Sequence, residues 1–161
     1  MSRPIFASIS AAALKHNLKQ ARRYAPHAKI MAVVKANAYG HGLLAVASAL
    51  ADADGFGVVE LDEAIALREA GVRQTILLLN GFFSAAELLL ISEYRLTIVI
   101  HCQEQLEIFL RSGLPVCTDI FLKMNTGMNR LGFAPSEFLA AAQRLLDSGQ
   151  AGNLTFMSHF A

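Results

Sequence analysis

Apolar residues along this chain alternate between two spacings, and the alternation recurs often enough to define a repeating unit. Short runs of branched and aliphatic residues are followed by a turn, then by a segment whose apolar positions recur every three or four residues, the helical period. The first such segment carries Leu14, Leu18 and Ala21 on one face; the next carries Leu43, Val46, Ala47 and Leu50. The runs predict strands at 5–9, 30–35, 55–59, 75–79, 96–100, 119–124 and 154–159, with helices after all but the last. Ser84, with Glu87 three residues on, has the capping-box form. Ser136 after Pro135 opens a helix expected to bury Phe138, Ala142, Leu145 and Leu146.

Several runs are apolar at both odd and even positions, which suits a parallel sheet covered by helices on its outer side. The pattern alone allows an open doubly wound sheet or a barrel. Barrel steps take about 20 to 30 residues and eight of them about 250, so 161 residues with six core strands correspond to an incomplete barrel. The final run would then leave an uncovered edge. No linker-like stretch divides the chain, and its length suits one core-bearing domain.

Composition sharpens this picture. Hydrophobic residues make up 54% and mean hydropathy is +0.41, high for a self-contained domain, so part of the apolar surface is expected to meet a partner. The apolar runs, such as 76–79 and 88–91, fall far short of the roughly 20 residues of a membrane helix. No stretch of signal-peptide type precedes Lys15 and Lys19. The expectation is a cytoplasmic chain with no membrane partner. Fourteen Lys and Arg balance thirteen Asp and Glu without a long basic run, so nucleic acid is not expected as a partner. Cys102 and Cys117 lack CxxC spacing and read as reduced thiols.

Three segments concentrate candidate chemistry. In Val33-Val34-Lys35-Ala36-Asn37-Ala38-Tyr39-Gly40-His41-Gly42 a lysine leaves the end of an apolar strand, the face where barrel enzymes place their chemistry. Gly40 and Gly42 permit tight turns there, Tyr39 offers a phenol to an anion, and the helix that follows is expected to begin with free N–H groups. In Leu122-Lys123-Met124-Asn125-Thr126-Gly127-Met128-Asn129-Arg130-Leu131-Gly132 two cations flank a glycine-bounded loop at another strand end. Met157-Ser158-His159-Phe160-Ala161 places a histidine at the end of the last strand. His16, His27, His41 and His101 have no metal-ligand spacing, and no nucleotide-binding glycine loop is present, so structural or solvated histidines are expected. The acidic run Glu60-Leu61-Asp62-Glu63 suits a helix N-terminus better than paired acid–base chemistry.

The first two segments resemble the cofactor-lysine motif and the arginine loop of alanine racemases, and 157–161 is similar to a third segment of that family. The resemblance covers essentially the whole chain. It implies a partial (β/α)8 TIM-type barrel of α/β class, with residues 1–161 forming the N-terminal portion that binds pyridoxal 5'-phosphate. Lys35 would carry the cofactor and act as a base at the substrate's α-carbon. By the same resemblance Tyr39 would help bind the phosphate, Leu79 would pack near the ring, and His159 would lie beside it. Arg130 would touch the cofactor phenolate and the substrate carboxylate. Lys123 occupies a place where family members often carry a carbamylated lysine. Asn125 and Asn129 depart from the pattern, since many relatives have aspartate and glycine there. The implied reaction interconverts L- and D-alanine, for cell-wall synthesis or D-alanine catabolism, in a homodimer whose partner subunit supplies a tyrosine to the opposite face of the substrate. Later barrel strands and a C-terminal β domain are also implied, the latter pairing with 5–9, so this chain is expected to be an incomplete or inactive portion. A noncatalytic barrel protein carrying the same cofactor is the alternative; its usual lysine surroundings lack the combined Tyr39, His41 and Arg130 pattern.

Overall fold

The computed structural model describes residues 5–114 and 118–160; Cys117 and Ala161 therefore lie outside the described residues. Helices and strands alternate as α1 (Ala11–Tyr24), β1 (Met31–Val33), α2 (Lys35–Tyr39), α3 (Leu43–Ala49), β2 (Gly55–Val58), α4 (Leu61–Glu69) and β3 (Thr75–Leu78). They continue as α5 (Ala85–Glu93), β4 (Thr97–Ile100), α6 (Gln103–Arg111), β5 (Thr118–Lys123), α7 (Pro135–Asp147) and β6 (Ala151–Met157). Every strand pairs in parallel with the next, giving the order β1-β2-β3-β4-β5-β6. A doubly wound sheet reverses its strand order at a switch point; this sheet does not, and it forms the arc of a barrel.

The register explains why both parities of the strands are apolar. Phe56 lies opposite Ile76, and Ile98 opposite Ile120. Together with Val58, Leu78, Ile100 and Leu122 they form an outward row that is 0–1% exposed. The helices cover this row with Ala64 and Leu67, Leu88 and Ile91, Leu106 and Phe109, and Phe138 and Leu145. Burying such side chains stabilises the fold by about 1.5–3 kcal/mol each. The opposite parity, including Met31, Val33, Leu77, Phe121 and Met157, lines a cavity of about 960 Å³ on the concave side of the arc.

Three expectations need correction. Residues 5–9 form no strand: the segment pairs with none of the described strands, and Ile5 and Phe6 are 92% and 89% exposed. Leu146 is exposed, because it follows Leu145 by one step of about 100° around α7 and leaves the face held by Phe138, Ala142 and Leu145. The capping box at Ser84 does not form: Glu87 accepts the N–H of Phe83 at 3.1 Å and the Ser84 hydroxyl at 3.4 Å rather than the Ser84 N–H, and Ser84 caps no helix N–H.

Candidate functional site

Parallel strands bring all their C-terminal ends to one rim, so Lys35 after β1, Leu79 after β3, His101 after β4, Lys123 at the end of β5 and His159 after β6 share that rim. Leu79 extends β3 by one ladder bond to Val58 and its side chain lines the concave cavity with Val33. Lys123, Arg130 and His159 line one small cavity with Asn125 and Thr126. Lys35 and Tyr39 are not among the residues lining that small cavity; they stand at the β1 end of the arc, Lys35 partly buried and Tyr39 exposed.

Lys35 is presented by an unusual backbone. Ala36, Asn37, Ala38 and Tyr39 have φ of 52°, 54°, 53° and 54°, so α2 is a left-handed turn, a conformation that costs L-residues roughly 1–2 kcal/mol each. Side chains offset that cost. The N–H of Asn37 donates to Glu63 Oε1 at 2.7 Å, and Asn37 Oδ1 accepts the N–H of Leu43 at 2.8 Å. The first N–H of α3 is thus taken by Asn37, whereas the sequence reading expected it free for an anion. His41 Nδ1 lies 2.9 Å from Ala38 O and braces the same turn, consistent with its structural reading.

The Arg130 loop is pinned at its base. Phe133 N–H donates to Lys123 O and Asn125 N–H to Phe133 O, both at 2.9 Å. Gly132 closes this base, for a Cβ there would come within 2.6 Å of Asn125 N, and its φ is +122°. Thr126 then ties the loop to β6 through contacts with the Ser158 hydroxyl and His159 O, the latter at 3.2 Å. Sequence reasoning missed Thr126, whose only signal was its place inside the arginine motif.

Lys123 is 6% exposed. Among the described residues no carboxylate pairs with it. Burial, and then the Arg130 guanidinium, hold its pKa below the ordinary lysine value. The pKa of His101 is likewise lowered, first by burial and partly by Lys123, against a raising contact from Asn80 O. His101 was read as structural, and it is anchored: its Nε2 lies 3.2 Å from Asn80 O. Gln105, another residue that sequence reasoning did not single out, holds this part of the rim. It accepts the His101 N–H at 3.1 Å and donates to Asn80 O and Phe82 O at 2.8 and 3.0 Å. The resulting rim is rich in cations, with Lys123 and Arg130 close enough to repel.

This arrangement agrees with what the chain is similar to. It is 55% identical over its whole length to the alanine racemase of Nitrosospira multiformis, of which it covers 45%. The crystal structure of the biosynthetic alanine racemase of Pseudomonas aeruginosa matches 94% of this chain with a TM-score of 0.91 and 45% identity, over 42% of that chain. A histidine racemase from Leuconostoc mesenteroides matches 94% with a TM-score of 0.80 and 34% identity, over 42% of that chain. The chain thus spans less than half the length of these relatives. The family model described as "Alanine racemase, N-terminal domain" matches residues 9–161, and with six parallel strands in barrel order and the lysine and arginine segments on one rim, the chain belongs to that family.

Proposed function

We propose that residues 1–161 form the pyridoxal 5'-phosphate-binding barrel portion of an alanine racemase that interconverts L- and D-alanine. The observation that carries this is a lysine held at a barrel-strand end by a left-handed turn, on the same rim as a buried lysine, an arginine and a histidine. The donor set fits the cofactor: an amine for its aldehyde, cations and a phenol for its anionic groups, and Leu79 for a ring face. When bound, pyridoxal phosphate withdraws electrons from the substrate's α-carbon and makes its proton acidic.

The residues of this chain supply the rest. Lys35 Nζ is the base that takes and returns the proton on one face of the α-carbon. The Arg130 guanidinium binds the substrate carboxylate and the cofactor phenolate, a fork that donates two parallel hydrogen bonds. Tyr39 reaches the phosphate, and His159 packs beside the ring. Lys123 is a candidate for carbamylation: burial favours its neutral amine, which could add to carbon dioxide and release a proton, leaving an anion that would orient Arg130. The base on the other face is a tyrosine from the partner subunit of a cytoplasmic homodimer.

Alanine is the substrate favoured by most of the likeness, and the histidine racemase match makes other amino acids the competing reading. Borohydride reduction of the complete protein with bound cofactor, followed by peptide mapping, tests the site. Label on Lys35 is expected; label on another lysine overturns the assignment. Racemisation assayed with L-alanine and L-histidine side by side decides the substrate.

A further inference from the structure

The turn that aims Lys35 and Tyr39 is held by a side chain from outside the turn. Four consecutive left-handed residues, 36–39, are costly for L-amino acids, and a turn of this kind persists only where its surroundings over-determine it. Among the described residues the single acceptor for the Asn37 N–H is Glu63 Oε1, 2.7 Å away and 26 positions along the chain. With its backbone fixed in this way, Asn37 uses its own Oδ1 to receive Leu43 N–H and tie the turn to α3.

Glu63 sits in the first turn of α4, where a carboxylate ordinarily needs no role beyond favouring the helix N-terminus. Its geometry says more. Its second oxygen, Oε2, is buried with no hydrogen-bond partner among the described residues, so the carboxylate is drawn in against the turn and away from water. A buried oxygen without a partner carries a desolvation cost, and the contact to Asn37 offsets it.

We infer that Glu63 is a positioning residue: its carboxylate clamps the left-handed turn and thereby sets where Lys35 and Tyr39 meet the cofactor. This rests on the proposed role of Lys35. A hydrogen bond from a backbone N–H to a carboxylate is among the stronger kinds, so its loss should be read as a large local effect.

The test compares wild type, E63A and E63Q in the complete protein, this chain together with the C-terminal half that its relatives carry. Amide hydrogen exchange is read in the cofactor-free protein, and pyridoxal phosphate affinity by titration. In E63A the Asn37 and Leu43 amides should exchange at least about tenfold faster while those in α7 keep their protection, and cofactor affinity should fall by about tenfold. E63Q keeps an acceptor oxygen without the charge and should fall between wild type and E63A in both. If E63A does not fold, E63D, which withdraws the carboxylate by one methylene, provides the same contrast with E63Q. Unchanged exchange and affinity in E63A, or E63Q as impaired as E63A, would overturn the clamp. Borohydride-fixed cofactor on a lysine other than Lys35 would instead overturn the reading of Lys35, and the exchange rates would still decide the clamp.

Discussion

Asn125 Nδ2 donates to Asn129 Oδ1 at 2.8 Å, so the two positions that the sequence reading marks as departures from the arginine-loop pattern are bonded to each other. Asn125 Oδ1 also accepts the N–H groups of Gly127 and Asn129, each at 3.1 Å. Asn129 has φ of 57°, a left-handed conformation that asparagine tolerates better than most residues. An aspartate at 125 would have no N–H to donate, and a glycine at 129 no oxygen to receive it. The pair therefore sets the backbone immediately before Arg130.

That pairing predicts non-additive substitutions. In the complete enzyme N125D and N129G should each lower kcat/KM for alanine several-fold. The double variant should lose less than the product of the two, with a coupling of about 0.5–1 kcal/mol. A complete double-mutant cycle in kcat/KM measures this directly, and strict additivity would show that the two side chains act independently.

Arg130 should not be replaceable by lysine. A single flexible ammonium cannot reproduce the guanidinium fork on a carboxylate, so Arg130→Lys in the complete enzyme should keep the cofactor yet racemise alanine at least about tenfold more slowly. An unchanged kcat/KM would exclude an essential fork, whereas loss of the cofactor absorbance would assign Arg130 mainly to cofactor binding.

Lys123 should give the fold a measurable alkaline dependence. Its folded pKa is lowered by burial and by Arg130, while the unfolded chain holds its proton up to about pH 10.4. Between those two values unfolding takes up a proton, so this contribution makes stability rise as pH increases. Urea midpoints in carbon dioxide-free buffer should climb with pH across that window, and Lys123→Met should flatten the climb. Added bicarbonate should flatten it as well if the amine becomes a carbamate, and carbon-13 NMR with labelled bicarbonate would report the adduct. An equal slope in wild type and Lys123→Met would exclude Lys123 as the titrating group.

Residues 1–161 by themselves should not racemise alanine, because racemisation needs a proton-transfer group on both faces of the α-carbon and the base proposed at Lys35 would serve only one. The chain's three tyrosines are Tyr24, Tyr39 and Tyr94. Tyr39 is the residue proposed for the phosphate; Tyr24 ends α1 at 83% exposure, and Tyr94 follows α5 with its hydroxyl donating to Glu69 Oε1 at 3.3 Å. The experiment follows D-alanine formation from L-alanine by the chain with added pyridoxal phosphate, against free cofactor and Lys35→Ala. Lys35-dependent turnover near 1 per second, a rate typical of enzymes, would show that the chain assembles a second base alone.

The residues by themselves determined the repeating strand-helix unit, because a two-face strand and an amphipathic helix each write their period into consecutive positions. They also marked which short segments are candidates for chemistry, since the lysine and arginine motifs are contiguous in sequence. Boundaries and single faces were less legible: 5–9 has the composition of a strand but pairs with none of the strands among the described residues, and Leu146 continues an apolar run one step beyond its helix's buried face. Only the tertiary structure decided between a barrel and a doubly wound sheet, because strand order is a relation between segments tens of residues apart. The burial of Lys123, the reach of Glu63 to Asn37 and the bracing of the rim by Gln105 belong to the same class. The Asn125–Asn129 bond spans only four residues, yet it too required the fold. It forms because the loop base at Met124 and Phe133 holds the chain in a turn where Asn129 takes a positive φ, a conformation that no local period announces.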